Sequence, residues 1–361
     1  MDIEQINQII GKVEDPHLSL SLSALDAIKH IELSEGRVVI TVELVGPIIH
    51  VADIIDQQIK ETLCAAGLSE KIEIIFNEVC LDRTNRQFLK EVKHIIAVAS
   101  GKGGVGKSAI AGNIAAALSK MGLKVGLLDA DVYGPSQPTM FGLKEAKLEA
   151  ITDSHGNTVA IPIKRDNNLF IASMGFVLNR NEAAIVRGPM LASYFSLLFE
   201  QIEWGELDML VFDLPPGTGD IQLTLVQKVP LNGAVIVTTP QEIALADVRR
   251  SIAMFRKVNV DILGIVENMS YFVPPDMPDK KYYIFGKDGG KIIAYEENVP
   301  LLGQIPLDVE MREANDGGEP VGLTEKYPNQ ARTIKETTLE LIKELRKHNY
   351  ENLNKSIEIE I

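Results

Sequence analysis

The stretch 101-GKGGVGKS-108 stands between an apolar run, IIAVAS, and an amphipathic one, SAIAGNIAAALSKMG. That placement constrains the fold more than any other feature of the chain. Gly101-Lys102-Gly103-Gly104-Val105-Gly106-Lys107-Ser108 satisfies the pattern G-x-x-x-x-G-K-[ST]. Glycines there let successive backbone N–H groups turn toward a phosphate, and the following helix adds the positive end of its dipole. A strand must lead into such a loop and a helix must leave it, so a βαβ unit is expected. Lys107 is expected to reach the β- and γ-phosphates of a nucleotide, and the Ser108 hydroxyl to ligate Mg²⁺. A bound phosphate accounts for one lysine. Lys102, five residues earlier, needs a reason of its own.

From Ile95 onward, short and nearly continuous apolar runs (KVGLLDA, LDMLVFD, GAVIVTT, VDILGIVEN) alternate with longer amphipathic segments. Strands buried on both faces read this way, and right-handed crossovers through helices give a parallel sheet. The expected fold class is α/β: a doubly wound, mostly parallel sheet forming a P-loop NTPase domain, preceded by a small α+β domain. Ligands of such sheets bind beyond the carboxyl ends of the strands, and each further motif falls at one of those ends. Leu128-Asp129-Ala130-Asp131 offers neighbouring acids that hold Mg²⁺ or orient a water, or else cap a turn. The run ending Phe212-Asp213 reads as a Walker B strand, with Asp213 acting on magnesium. The Pro-Pro-Gly turn after it places the Gly217 amide near a γ-phosphate. Asn268 and Pro306, at two later strand ends, lie where a base would sit. Asparagine offers a donor and an acceptor to an adenine edge, and it is equally ordinary turn chemistry.

Residues 1–90 read as the small α+β domain: an amphipathic helix IEQINQIIGKV, strands HIELSEG and RVVITVELVG, a helix over about 51–66 and the strand KIEIIFNEV. Residues 91–96 are drawn as a linker, 97–346 as the ATPase domain and 347–361 as an acidic tail. A net charge of −14 argues against a nucleic-acid partner, because neutralising phosphates needs a basic face. No apolar run approaches the roughly 18–20 residues of a membrane span. MDIEQINQII lacks the basic and apolar regions of a secretory signal, so a cytoplasmic location and no membrane partner are expected. The two cysteines, Cys64 and Cys80, are expected to be reduced and structural.

Lys102 makes the loop resemble the deviant Walker A motif, K-G-G-x-G-K-S, of the MinD, ParA, ArsA and nitrogenase iron-protein ATPases. Within that group the chain resembles the Mrp/ApbC-type iron–sulfur cluster carriers. LLDADVYGPSQPTMFG, VRGPM, WGELDMLVFDLPPGTGDIQLTL and GAVIVTTPQEIALADVRRSIAMF carry the likeness, and GIVENMSYF, LLGQIPLD and MREANDGGEP extend it. The N-terminal part resembles a MIP18-type domain, chiefly through VEDPHL. The resemblance implies an Mg-dependent ATPase working as a homodimer, with Lys102 reaching the partner's nucleotide. It also implies that Ser108 and Asp213 serve magnesium, that Asp131 orients the attacking water, and that Asn268 and Pro306 flank adenine. Arg187 lies in a matching block and fits an ion pair as well as a phosphate contact. Apoprotein clients or cluster-assembly proteins are the partners implied.

One stretch departs from the pattern. In 271-YFVPPDMPDKKYYIFG-286, Pro274 and Met277 stand where the family typically has Cys-x-x-Cys, and no cysteine follows Cys80. Thiolates hold iron–sulfur clusters, so a cluster held in the family's manner is excluded. Two functions follow. One is an ATP-hydrolysing homodimer that still carries or assembles clusters through other ligands or partners. The other is an ATP-dependent dimerisation switch or adaptor with no cluster of its own.

Overall fold

Residues 1–34, 36–81, 88–152, 156–177 and 197–359 are described by the computed structural model. They fall into two units, Met1–Asp82 with Ile342–Ile361, and Arg83–Leu341.

In the smaller unit, α1 (Ile3–Ile10) starts at Asp2, whose carboxylate accepts the Gln5 N–H at 2.8 Å while the Gln5 side chain accepts the Asp2 N–H at 3.1 Å. This reciprocal box satisfies two N–H groups that a helix start leaves unpaired. β1 (Ile28–Ser34), β2 (Arg37–Val45) and β3 (Lys71–Val79) form a sheet in that order, β1–β2 antiparallel and β2–β3 parallel. The alternation of β2 buries Val38, Ile40, Val42 and Leu44 on one face. α2 (Val51–Ala65) makes the crossover between the parallel strands. It buries Val51, Ile55, Ile59 and Leu63 at every fourth position, and these close one core with Ile6 and Ile10.

The larger unit is built on β4 (Val92–Ala99), β5 (Val125–Asp129), β6 (Ile163–Asp166), β7 (Leu169–Ser173), β8 (Leu207–Asp213), β9 (Gly233–Thr238), β10 (Ile262–Glu267) and β11 (Leu301–Gln304). These eight strands form one sheet of order β6-β7-β5-β8-β4-β9-β10-β11, parallel throughout except for β6–β7. Among the described residues of this unit the helices are α3 (Lys107–Lys120), α4 (Gln137–Met140), α5 (Asp220–Lys228), α6 (Glu242–Lys257), α7 (Gly289–Glu296), α8 (Val309–Asp316) and the first part of α9 (Pro328–Ile359), whose residues from Ile342 on belong to the smaller unit. Every residue of β5 and β9 is buried, as continuous apolar strands require. The expected doubly wound sheet is present, with β4 between β8 and β9 at its centre.

Two boundaries differ from the sequence reading. The linker drawn at 91–96 is strand: β4 begins at Val92 and pairs with β8 and β9. The acidic tail drawn from 347 is helix, because α9 continues to Ile359. Arg346 explains that continuation. It is fully buried, and its guanidinium grips Asp15 through bonds of 2.9 and 2.5 Å while donating to the Val45 carbonyl at 2.9 Å. One turn on, Asn349 donates to the Gly46 carbonyl at 2.9 Å. Burial pushes the Asp15 carboxyl up, and the bonds and charge of Arg346 together with the N–H groups of His17 and Leu18 more than offset it, leaving the acid below its ordinary range. Among the described residues, no helix is long and apolar enough to cross a membrane.

Candidate nucleotide site

The loop between β4 and α3 turns on Gly104 and Gly106, both at φ +82°, a region that side-chain-bearing residues avoid. Gly106 has a second constraint, since a Cβ there would lie 2.2 Å from the Asn268 amide nitrogen. α3 starts at Lys107. Lys107 is 6% exposed, and its ammonium pairs with the wholly buried carboxylate of Asp213 at the end of β8 and lies 3.0 Å from Ser108 Oγ. The hydroxyl of Ser108 and the carboxylate of Asp213 thus converge on one cation, the arrangement a hard divalent ion requires of oxygen ligands.

Asp129, at the end of β5, is the second buried carboxylate. Ser136 N–H (3.0 Å), Gln137 N–H (3.1 Å) and Ser173 Oγ–H (3.0 Å) donate to one oxygen, and Asp131 N–H (3.3 Å) to the other. Burial, and then the neighbouring Asp213, push this acid up to about 7 against the pull of Gln137, Lys107 and Ser173. Asp131 lies half-buried beyond the strand, where its carboxylate accepts the N–H groups of Tyr133 (3.2 Å) and Gly134 (3.1 Å). These backbone bonds hold the acid in the turn that follows β5.

Lys102 is half-buried, and its ammonium has no hydrogen-bond or ion-pair partner among the described residues. Gly217 has φ +101°, and its amide donates to the Ser100 carbonyl at 2.9 Å rather than standing free for a phosphate. Asn268 lies beyond β10 and donates to the Val105 carbonyl at 2.9 Å, so its amide nitrogen braces the loop. Pro306 follows β11, and the Ser270 N–H to Ile305 carbonyl bond (3.0 Å) sets these two strand ends side by side. Gly101, Gly103 and Val105 complete the loop as the motif places them. Arg187 lies outside the described residues. Sequence reasoning missed Gln137 and Ser173. It weighed Asp129 only as a neighbour of Asp131, and Gln137 stood in a matching block without a role.

In the loop 271–286, Met277 N–H donates to the Pro274 carbonyl at 3.0 Å, and Phe272 and Tyr282 bridge the stem by paired bonds of 2.8 Å. Pro274 and Met277 therefore close a tight turn. Met277, Tyr282, Tyr283 and Ile284 are exposed around it. In the smaller unit Cys64 is exposed on α2 and Cys80 is half-buried, with no disulfide joining them.

A parallel sheet with a glycine-rich loop at its central strand, a buried lysine–carboxylate pair and a second loop lysine defines a P-loop NTPase of the MinD/ParA kind. Comparison with known proteins narrows this. A family model described as NUBPL iron-transfer P-loop NTPase matches residues 91–343, and one described as iron–sulfur cluster assembly protein matches residues 3–74. The chain belongs to the NUBPL iron-transfer P-loop NTPase family. An iron–sulfur cluster carrier protein of Synechocystis is 42% identical over 329 residues, which is 90% of this chain and 93% of the relative. The iron–sulfur cluster transfer protein NUBPL of Dictyostelium discoideum is 47% identical over 257 residues, 71% of this chain and 78% of the relative. Among solved structures, an Archaeoglobus fulgidus nucleotide-binding protein in complex with ADP is 37% identical, with a TM-score of 0.56 over 67% of this chain and 91% of its own. The Mg-ADP complex of MinD from Pyrococcus horikoshii, at 21% identity and a TM-score of 0.51 over 69% of this chain and 95% of its own, shares the fold.

Proposed function

We propose that the larger unit binds Mg-ATP and hydrolyses it to ADP and phosphate as a homodimer, and that this cycle drives carriage of an iron–sulfur cluster to apoprotein clients. The carrying observation is the convergence of the Ser108 hydroxyl and the Asp213 carboxylate on the Lys107 ammonium at the end of a glycine-rich loop. Loop amides and the start of α3 bind the phosphates. Lys107, released from Asp213, moves to the β- and γ-oxygens. Asp131 orients the water for in-line attack. Ser108 and Asp213 suit magnesium by donor type, and the ion, when bound, would neutralise charge growing on the phosphate oxygens. Lys102 is free to enter the partner's site, where a cation stabilises the transferring phosphoryl group.

The cluster is cargo. A relative matching nine-tenths of the chain bears the carrier name, which supports carriage over a cluster-free adaptor. Thiolate ligation at Pro274 and Met277 is excluded by their chemistry. Cys64 and Cys80 in the smaller unit are the only thiols, so cluster ligation rests on them, on other side chains or on a partner protein. Light scattering with Mg-ATP tests the dimer: Asp131→Ala accumulates an ATP-bound dimer, and Lys102→Ala binds ATP but loses turnover or dimerisation. Lys102→Ala unchanged in both respects removes the trans-lysine role.

A further inference from the structure

Gln137 is wholly buried at the start of α4, and its amide nitrogen donates both to Asp213 Oδ2 at 2.8 Å and to the Ser108 main-chain carbonyl at 3.0 Å. Two acceptors fix the orientation of the amide, because the flipped form would set its oxygen against both of them. The amide oxygen is left buried with no partner. It faces α3 at Gly112, where a Cβ would lie 2.7 Å from it and 3.0 Å from the Met140 methyl. An isosteric apolar side chain would fill the same space without an orphaned acceptor. The two donated bonds are thus what the amide contributes, and both go to the residues that converge on the cation position.

We propose that Gln137, seated against Gly112, is a positioning residue that holds the Asp213 carboxylate and the Ser108 backbone in the geometry magnesium needs. Asp213 has two oxygens, and the structure divides them: one faces Lys107, the other is held by Gln137. A carboxylate so tethered keeps a fixed oxygen toward the ion instead of rotating to chelate or to pair with Lys107 through both. The Gln137 N–H also donates to Asp129, whose other oxygen takes the Asp131 N–H. The same short turn therefore carries the tether for Asp213 and the acid that orients water. Magnesium seating and water positioning move together through residues 129–137.

This inference rests on the Mg-ATP reading, and its test separates the two. Nucleotide affinity is measured with a fluorescent ATP analogue in EDTA and across a magnesium titration, alongside turnover. Gln137→Leu raises the magnesium concentration at half-saturation by about 10-fold or more, the usual effect of losing a bond that orients a metal ligand, and leaves affinity in EDTA within about two-fold. Gly112→Ala leaves the glutamine in place but pushes its amide aside, and it shifts the magnesium requirement in the same direction. The double variant is no worse than the worse single, since both act on one tether. Gln137→Leu and Gly112→Ala with the magnesium requirement of the wild type overturn the inference. If Gln137→Leu fails to fold, Gly112→Ala decides alone. A wild-type chain that neither binds nor hydrolyses Mg-ATP fails the underlying reading instead.

Discussion

Replacing Lys107 by methionine keeps most of the side chain's length and removes its charge. Asp213 is wholly buried and lies near Asp129, also wholly buried. The substitution therefore strands carboxylates without a cation, a loss of about 3–5 kcal/mol when one member of a buried pair is removed. A surface pair would cost at most about 1 kcal/mol. For a unit spanning Arg83–Leu341, each kcal/mol moves the midpoint by roughly 2–4 °C, so a drop of roughly 6–20 °C is expected. The deficit also depends on pH. Asp129 stands at about 7 with Lys107 among the groups holding it down, so losing Lys107 raises it further. An acid whose folded value exceeds its unfolded one destabilises increasingly as pH rises from the unfolded value to the folded one. The loss is therefore larger at about pH 8.5 than at about pH 6. Trp204, the sole tryptophan, is 6% exposed in the core of this unit and reports its unfolding by fluorescence in nucleotide-free urea titrations. Adding Asp213→Leu recovers part of the deficit. Equal stability of Lys107→Met and wild type, or a deficit that grows toward acid, would refute the buried-pair account.

Three further outcomes follow from the same physics. Arg346→Met leaves Asp15 buried and unpaired, and it destabilises the smaller unit by about 3–5 kcal/mol, read by hydrogen exchange on β2; Asp15→Asn in the same chain returns part of it. Burial, and then Arg346, hold the His17 imidazole down at about 4. The unfolded chain therefore takes up the proton first, so stability falls as pH drops from about 6.5 to about 4, and His17→Gln flattens that slope. Gly106→Ala forces a left-handed residue into the Asn268 amide, 2.2 Å from its nitrogen, and it weakens ATP binding by at least about ten-fold in a direct titration, as roughly 1–2 kcal/mol of backbone strain adds to the lost loop contact; wild-type affinity would mean that the loop is not preorganised.

The sheet was legible because parallel strands announce themselves as unbroken apolar runs, and the motifs fell at their carboxyl ends, where the structure puts them. The misdrawn linker has a local cause. Lys93 and His94 look like loop residues, yet Lys93 reaches Asp208 at 2.7 Å and His94 is buried inside β4. The helical end of the chain was hidden for the opposite reason, since Arg346 finds its carboxylate 331 positions upstream. Gln137 carries no motif of its own. Its meaning appears only when folding brings Asp213, 76 residues away, within 2.8 Å. Asn268 was placed correctly at a strand end, but the expected adenine contact gave no hint that its amide braces Val105.

The proposed ATPase carries a cluster without the usual pair of thiolates in its larger unit. Anaerobic reconstitution with iron and sulfide is the test, followed by iron and sulfide analysis, a visible spectrum and transfer to an apoprotein with and without Mg-ATP. The expected result is a stoichiometric, transferable cluster whose release responds to ATP, lost or displaced in Cys64→Ser or Cys80→Ser if those thiols hold it. Intact ATP hydrolysis with neither cluster uptake nor transfer, alone or with an assembly partner, would contradict carriage and leave a nucleotide-driven switch.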